Sequence, residues 1–322
     1  MRIWGGTALL AAALAVGGCS VEEPEPVPAP PLPTSTVALP QAFDPELAPA
    51  LAALTLVPAD ATTLTVTDFD QVRLQLGEPL LTSASPPAAR AAFWRRAEAR
   101  APLLSTGRLR PVDARLLRDY GFTQDDVAWE AGFSGPSGQG WVARLRDDLD
   151  LTGVRRAVGD GVGPLAGAEL DEETRLVSVG AAPDAASSWA QDDELGDLVA
   201  GAAAGATYVE RACVPAETAL GADAAIAATG GATEAELDDL ETWSVSFGGS
   251  LATVRLGPSR DDVFDRLRVS EALPSTGPAL ARGFTQGVAD PVGGRIGFAM
   301  ADPAVAARLT LQRRLPFAAC AP

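Results

Sequence analysis

Acidic side chains offer most of the chemistry that this sequence could perform. Four neighbouring pairs of carboxylates are present: Asp68 with Asp70, Asp125 with Asp126, Asp192 with Asp193, and Asp238 with Asp239. Two carboxylates that flank a glycosidic bond can hydrolyse it, one as an acid and the other as a base or nucleophile. Neighbouring acids also serve as helix caps and solvated loop residues, and nothing in the sequence distinguishes one pair from the others. No residue is therefore assigned a catalytic role.

Three residue types are absent from the sequence: His, Lys and Asn. Without His there is no imidazole base and no His metal ligand, and without Lys there is no Schiff-base amine or P-loop lysine. All 25 basic side chains are Arg. We expect no metal and no cofactor, and an enzyme is the less favoured class.

The first 19 residues have the features of an export signal. Arg2 provides a positive charge, and residues 3–16 carry none. That run is shorter than the roughly 20 apolar residues that a membrane-spanning helix needs. Val16, Gly17, Gly18 and Cys19 resemble the bacterial lipobox, in which cleavage between Gly18 and Cys19 leaves an acylated N-terminal cysteine. An ordinary secretory signal with an incidental cysteine is the alternative.

The lipobox resemblance implies roles for the cysteines. If Cys19 carries a diacylglycerol, two acyl chains suffice for a stable membrane anchor. Cys213 and Cys320 then remain as an even pair in an oxidising compartment, where we expect a disulfide. Two separate buried thiols are the alternative.

Residues 19–50 are predicted to form a tether. Pro24, Pro26 and the prolines between residues 28 and 33 favour an extended polyproline conformation, and the neighbouring glutamates keep it solvated. The leader and this stalk resemble those of actinobacterial lipoproteins. The resemblance implies an address, the extracytoplasmic face of the cell membrane, and no activity that can be assigned to named residues.

The rest of the chain, residues 51–322, has the composition of a folded body. The sequence is 47% hydrophobic and carries a net charge of −17, so a core is expected and nucleic acid is an unfavourable partner. Between residues 90 and 119, however, eight Arg face three acids. This region is either a docking face for an acidic partner or a surface that pairs with the protein's own acids.

A strand-strand-helix-strand-helix pattern is predicted twice, over residues of about 129–190 and 243–313. Each copy begins with a segment that runs from Trp to Phe, residues 129–133 and 243–247. Each later has a strand that opens with Arg, at Arg175 and Arg295, and a helix-starting proline eight positions on, at Pro183 and Pro303. Chance similarity among short apolar segments is the alternative.

Local signals also predict the region before these copies. Asp68 and Gln71 have capping spacing for a short helix, Pro86 and Pro87 begin a longer one, and a third ends at Gly121. The sequence thus predicts an α+β fold in which duplicated units form antiparallel sheet with helices on one face, preceded by a helical N-terminal segment.

The predicted function is that of a non-enzymatic binding or accessory lipoprotein of the cell envelope. Its expected partners are the membrane, reached through Cys19, and an envelope protein or a small ligand. Trp129, Trp141 and Trp243 could stack on a sugar, although core packing is the favoured role at strand positions. Two alternatives stay open: a carboxylate-based hydrolase of envelope glycan, and a carrier of a small molecule or lipid with a large apolar cavity between the copies.

Overall fold

The computed structural model of this chain describes residues 37–201, 204–221, 237–258, 260–272 and 278–321. Gly18, Cys19 and most of the predicted tether lie outside the described residues. Leu39 and Phe43 fall within the range predicted for the tether. Leu39 is nevertheless buried, and the Phe43 ring lies 6.3 Å from that of Trp129, so the packed body includes both residues.

The strands of the described residues form one ten-stranded antiparallel sheet, in the order β4-β5-β3-β2-β1-β6-β7-β8-β10-β9. They are β1 (Thr63–Asp68), β2 (Val127–Gly135), β3 (Gly138–Leu145), β4 (Glu169–Asp171), β5 (Leu176–Val179), β6 (Ala206–Glu210), β7 (Trp243–Gly248), β8 (Leu251–Arg255), β9 (Thr285–Asp290) and β10 (Arg295–Ala299). The order is symmetric about the central pair β1 and β6. The first five strands build one half of the sheet, and the last five build the other.

The α-helices of the described residues pack on both faces of this sheet. They are α1 (Pro49–Ala53), α2 (Phe69–Gln75), α3 (Pro87–Arg100), α4 (Asp113–Tyr120), α5 (Leu151–Gly159), α6 (Asp193–Val199), α7 (Ala216–Leu220), α8 (Val263–Ala272), α9 (Pro278–Gly283) and α10 (Pro303–Leu311). Helices and an antiparallel sheet together make this an α+β protein, as the sequence predicts.

Two faces of the sheet are distinguished by strand register. Thr65 lies between Gly132 and Tyr208 as their direct partner, so all three side-chain positions share one face, which we call the front face. Leu64 and Val66 point to the opposite, back face. Helices α2 to α5 cover the front of the first half, and α7 to α10 cover the front of the second.

Helices α1 and α6 cover the back face, so the prediction that helices pack on one face only is wrong. The back of β1 and β2 carries large apolar side chains that must be removed from water. They pack with α1, α6 and Trp189 into a core cluster on the back face, separate from the clusters beneath the front helices. Its strand members include Leu64, Val66, Trp129, Ala131 and Phe133.

Several local predictions before the first copy are confirmed. The Asp68 carboxylate accepts a hydrogen bond of 2.9 Å from Gln71 N–H and caps α2. Helix α3 begins at Pro87, and α4 ends at Gly121 in the left-handed conformation, with φ of 82°. The same segment also supplies β1, the strand at the centre of the sheet.

The predicted copies differ from the structure in two respects. Each contains an additional strand, β4 or β9, which forms an edge hairpin with β5 or β10. Helix α10 begins at Pro303 as predicted, with Asp302 as its cap, whereas Pro183 is followed by two short 3-10 turns, Ala185–Ser187 and Trp189–Gln191.

Within the described ranges, none of the helices combines the length and apolar character that crossing a membrane requires.

Candidate functional site

A stripe of polar side chains crosses the front face at the centre of the sheet. Strand β1 contributes Thr63, Thr65 and Thr67, with Glu130 opposite Thr67 and Glu210 opposite Thr63. Apolar core clusters lie on either side of this stripe. Because buried polar groups cost free energy unless they are paired, each member of the stripe needs a partner.

The two halves of the sheet differ at corresponding positions of this face. The front of β7 is apolar, whereas the front of β2 is polar. In order along each strand, the residues are Trp243, Val245 and Phe247 on β7, and Glu130, Gly132 and Ser134 on β2. The structure therefore has a polar site in one half where the other half has core.

Glu130 anchors the loop that follows α3. Its side chain is 1% exposed and accepts hydrogen bonds from the Ser105 hydroxyl at 2.5 Å and from Arg108 N–H at 3.0 Å. Ser105 N–H also donates to the Thr67 hydroxyl at 3.0 Å. These bonds fix residues 105–108 against the central strands, and they place the Arg108 side chain above the sheet.

Gly132 allows the Arg108 guanidinium to approach the sheet closely. A Cβ atom at Gly132 would lie 2.8 Å from Arg108 Nη2 and 3.2 Å from Thr65 Oγ1. The guanidinium carbon lies 5.9 Å from the centre of the Trp141 ring and its Nε lies 3.6 Å from Glu130 Oε1. The Arg108 side chain remains 44% exposed, so it is held in position and still accessible.

A second glutamate and arginine lie on the other side of β1. Glu210 is 4% exposed in its side chain, accepts a hydrogen bond of 2.9 Å from the Tyr208 hydroxyl, and pairs with Arg313 Nη2. The Arg313 side chain is 37% exposed. This half of the site therefore also presents an arginine that a buried carboxyl group holds.

Arg313 occupies a backbone position that usually selects glycine. It follows α10 with φ of 56°, and the Arg313 and Arg314 N–H groups donate to the carbonyls of Thr310 and Leu309. This hydrogen-bond pattern defines a Schellman motif, in which glycine is the favoured left-handed residue. An arginine here costs conformational energy, and its pairing with Glu210 opposes that cost.

Burial dominates the electrostatics of both glutamates. Burial raises the pKa of Glu130, and the hydrogen bonds from Arg108 N–H and Ser105 lower it only in part. Burial likewise raises the pKa of Glu210 against the opposing hydrogen bonds from Arg313 and Tyr208. Each carboxyl group thus binds its proton more tightly than an exposed glutamate does.

The stripe is open to solvent at one end. Thr67 and Glu130 are buried beneath residues 101–105, whereas Thr63, Thr65, Gly132 and Ser134 keep part of their surface exposed. We call this opening the central cleft. Its floor is formed by the latter four residues, and Arg108 and Arg313 flank it.

The carboxylate pairs singled out in the sequence have structural roles. Asp68 caps α2, and Asp70 pairs with Arg73. Asp125 accepts a hydrogen bond from Trp94 Nε1, and Asp126 accepts from the N–H groups of Ser83 and Thr123. Asp192 caps α6, Asp193 lies in the first turn of that helix, and the backbone carbonyls of Asp238 and Asp239 accept from Arg260. None of the four pairs lies at the central cleft.

The three tryptophans considered for sugar stacking belong to core clusters. Trp129, Trp141 and Trp243 are all at most 6% exposed. Trp129 lies on the back face and Trp243 on the front face, because the register places Glu130, the neighbour of Trp129, on the front. The predicted match between residues 129–133 and 243–247 is therefore displaced by one residue.

Most of the arginine-rich region pairs with the protein's own acids, which favours the second of its two interpretations. The pairs are Arg90 with Asp125, Arg96 with Glu78, Arg108 with Glu130, Arg110 with Glu98, and Arg115 and Arg118 with Asp119.

Cys213 and Cys320 form a disulfide, as predicted, with their Cα atoms 4.8 Å apart. The same segments are joined by backbone hydrogen bonds of 2.8 Å, from Val214 N–H to Ala318 O and from Cys320 N–H to Val214 O. The disulfide thus ties the end of the chain to the segment after β6.

An apolar cavity of about 230 Å³ lies within the second half of the molecule. It is bordered by α8, α9 and the aromatic side chains of Phe284, Phe298 and Phe317. Its position differs from the cavity between the copies that the carrier alternative requires. Among the described residues, no cluster of three or more Cys, His, Asp or Glu side chains is arranged to hold a metal ion.

Sequence reasoning missed Glu130, Glu210, Arg108 and Arg313. Glu130 lies within β2, where alternation with its apolar neighbours predicts a solvent-facing side chain, and Glu210 ends β6. Both are buried because distant parts of the chain cover the front face, which the local sequence does not reveal.

Comparison with known proteins adds no relative: no family model, curated protein or solved structure matches this chain.

Proposed function

We propose that this protein is a lipoprotein, anchored through Cys19 at the extracytoplasmic face of the cell membrane, whose body binds an envelope ligand or partner in the central cleft. The observation that carries the binding role is the open polar stripe at the centre of an otherwise apolar sheet face. The lipobox resemblance of residues 16–19 supports the anchor.

The proposal includes a duplication of the body. The symmetric order of the strands supports it, since each half starts at a central strand and ends in an edge hairpin. Under this proposal, the two copies have diverged on the front face, which is apolar at Trp243 in one and polar at Glu130 in the other. The divergence coincides with the central cleft, where we propose that the ligand binds.

The proposed organisation is a signal peptide over residues 1–18, a tether after Cys19, and the body. Because Leu39 and Phe43 pack into the body, we place the proposed boundary between tether and body before Leu39 and not at residue 50. Fully extended, a tether of about 18 residues would span at most roughly 59–65 Å.

The geometry does not favour the glycan hydrolase. Glu130 and Glu210 are separated by two strand spacings and four residues along the sheet, which is about 16 Å between their Cα atoms. Glycosidases hold their two carboxyl groups about 5–9.5 Å apart, which side chains on such distant Cα atoms could reach only by extending toward each other. Each glutamate is also turned toward its own arginine, so the two do not act on one bond.

The anchor is tested with Cys19→Ser. We expect this variant to leave the membrane fraction and to appear in the soluble extracytoplasmic fraction, whereas the wild type stays with the membrane. Retention of the variant in membranes would contradict the lipoprotein proposal. Intact mass analysis of the wild type should show a diacylglycerol on Cys19.

The binding role is tested by native mass spectrometry of the protein extracted from its own membrane in mild detergent. The wild type should carry a ligand or protein companion that Thr65→Trp loses, because the indole fills the cleft above Gly132. Thr253→Trp is the matched control, since Thr253 lies on the back of β8. Ser134→Trp, at the open end, serves as a second blocking variant if Thr65→Trp misfolds. Equal binding by all variants would refute the cleft as the site.

A further inference from the structure

We propose that the central cleft recognises an anionic group, a carboxylate or a phosphate, whose oxygens contact the Arg108 guanidinium above the floor hydroxyls. This inference rests on the proposed binding function of the cleft and specifies the chemistry of its ligand.

The Arg108 guanidinium has hydrogen-bond donors to spare. Among the described residues its charged partner is Glu130, at a distance of 3.6 Å that exceeds a hydrogen bond. The hydrogen bond between these residues comes from the backbone N–H of Arg108 instead. A guanidinium carries five N–H donors, so an oxygen-rich ligand finds them available in the cleft.

The carboxyl groups near the cleft are already engaged. Glu130 accepts from Ser105 and from the Arg108 backbone, and Glu210 accepts from Tyr208 and pairs with Arg313. A ligand entering the cleft therefore meets arginine donors and floor hydroxyls, and each nearby carboxyl group is occupied by its own partners. This arrangement favours a ligand that is itself rich in acceptors, as a carboxylate or phosphate is.

The floor provides a further donor. The hydroxyl oxygens of Thr63 and Ser134 lie 2.6 Å apart and form one hydrogen bond, in which either oxygen is the donor. One of the two hydroxyl hydrogens is then left to donate to a ligand. Both residues are part-exposed on the open end of the stripe.

Arg313 adds positive charge on the opposite side of the cleft. Its Nη2 pairs with Glu210, and the side chain remains 37% exposed. A second guanidinium beside the opening favours an anionic ligand over a neutral one. The residue is also kept at a strained backbone position, as expected of a side chain with a role.

The Arg108 side chain is preorganised for this contact. The bond from Arg108 N–H to Glu130 fixes the backbone of this residue, and the guanidinium lies near the Trp141 ring in the space that Gly132 leaves open. Preorganisation lowers the entropy that binding must remove. Planar bidentate recognition of carboxylate and phosphate is what arginine provides and a point charge does not.

The test is calorimetric titration of the full chain in detergent with sodium phosphate and, separately, sodium acetate, in a chloride buffer of matched ionic strength. We expect saturable binding of at least one of the two, and the arm that binds identifies phosphate or carboxylate. Arg108→Gln should weaken it at least tenfold, as loss of a charge-assisted hydrogen bond implies. Arg95→Gln, an exposed arginine on α3, is the matched control and should bind as the wild type does.

Gly132→Ala is a second, charge-neutral variant. Its added methyl group displaces the end of the Arg108 side chain from the floor, so binding should weaken although the arginine is kept. Absence of saturable binding of both anions, or equal affinities in the wild type and Arg108→Gln, would overturn the inference. A membrane-derived ligand that Arg108→Gln retains and Thr65→Trp loses would also overturn it, while leaving the cleft as a binding site.

Discussion

Replacing Arg313 by glycine and by alanine separates the backbone cost of this residue from the contribution of its side chain. Both variants lose the pairing with Glu210. Only the glycine variant removes the strain of the left-handed backbone conformation, which has φ of 56° at this position. The two variants therefore differ mainly in backbone strain.

The expected difference follows from the structure. A left-handed conformation costs a residue with a Cβ about 1 kcal/mol relative to glycine. Because the Arg313 side chain is 37% exposed, its ion pair is partly screened, and we expect its loss to cost about 1–2 kcal/mol. Arg313→Ala should then be destabilised by that amount, and Arg313→Gly by about 1 kcal/mol less.

The assay is equilibrium unfolding in urea, with the free energy of unfolding extrapolated to water. Gly121→Ala is a matched control, because Gly121 ends α4 with φ of 82° and a Cβ there would meet no atom within 4 Å. That variant should lose about 1 kcal/mol by the same mechanism. Equal stabilities of Arg313→Ala and Arg313→Gly, with Gly121→Ala destabilised, would refute the assignment of strain to Arg313.

Three further predictions concern stability. Cys213→Ser combined with Cys320→Ser should lower the free energy of unfolding by up to about 4.7 kcal/mol, because the disulfide joins residues that are 107 positions apart in the sequence. An unchanged melting temperature under matched conditions would contradict this. Arg266→Ala should lower the free energy of unfolding in urea by about 3–5 kcal/mol, because the buried guanidinium pairs with Asp262 and donates to the carbonyls of Phe317 and Ala319. Arg95→Ala, at an exposed position, is the control and should lower it by under about 0.5 kcal/mol. Burial raises the pKa of Asp68 from 3.8 to about 6, so the native state holds its proton more tightly and stability should fall as pH rises from about 4 to about 6. Asp68→Asn should remove up to about 3 kcal/mol of that fall, and identical pH profiles of the two proteins would count against the assignment.

Local sequence signals predicted individual elements well. Asp68 with Gln71, Pro87 and Gly121 each acts within four residues of its own position, through a cap, a fixed φ or a left-handed turn. The disulfide followed from the parity of the cysteines once Cys19 was set aside. These inferences need no knowledge of the distant chain.

Predictions that depended on register were less successful. Trp129 and Trp243 look equivalent in the sequence, yet they lie on opposite faces, because a displacement of one residue inverts the side-chain pattern of a strand. The short strands β4 and β9 were missed for a related reason, since a brief edge strand carries little periodicity of its own.

The sequence by itself determined the class of fold, the cysteine partners, the main helix boundaries and the chemistry that the missing residue types exclude. The tertiary structure decided the site. Glu130 and Glu210 are 80 residues apart and have no distinctive local context. They become notable only because the pairing of β1 with β2 and β6 places both on the buried front face, where an unpaired carboxyl group is costly and each glutamate therefore holds an arginine.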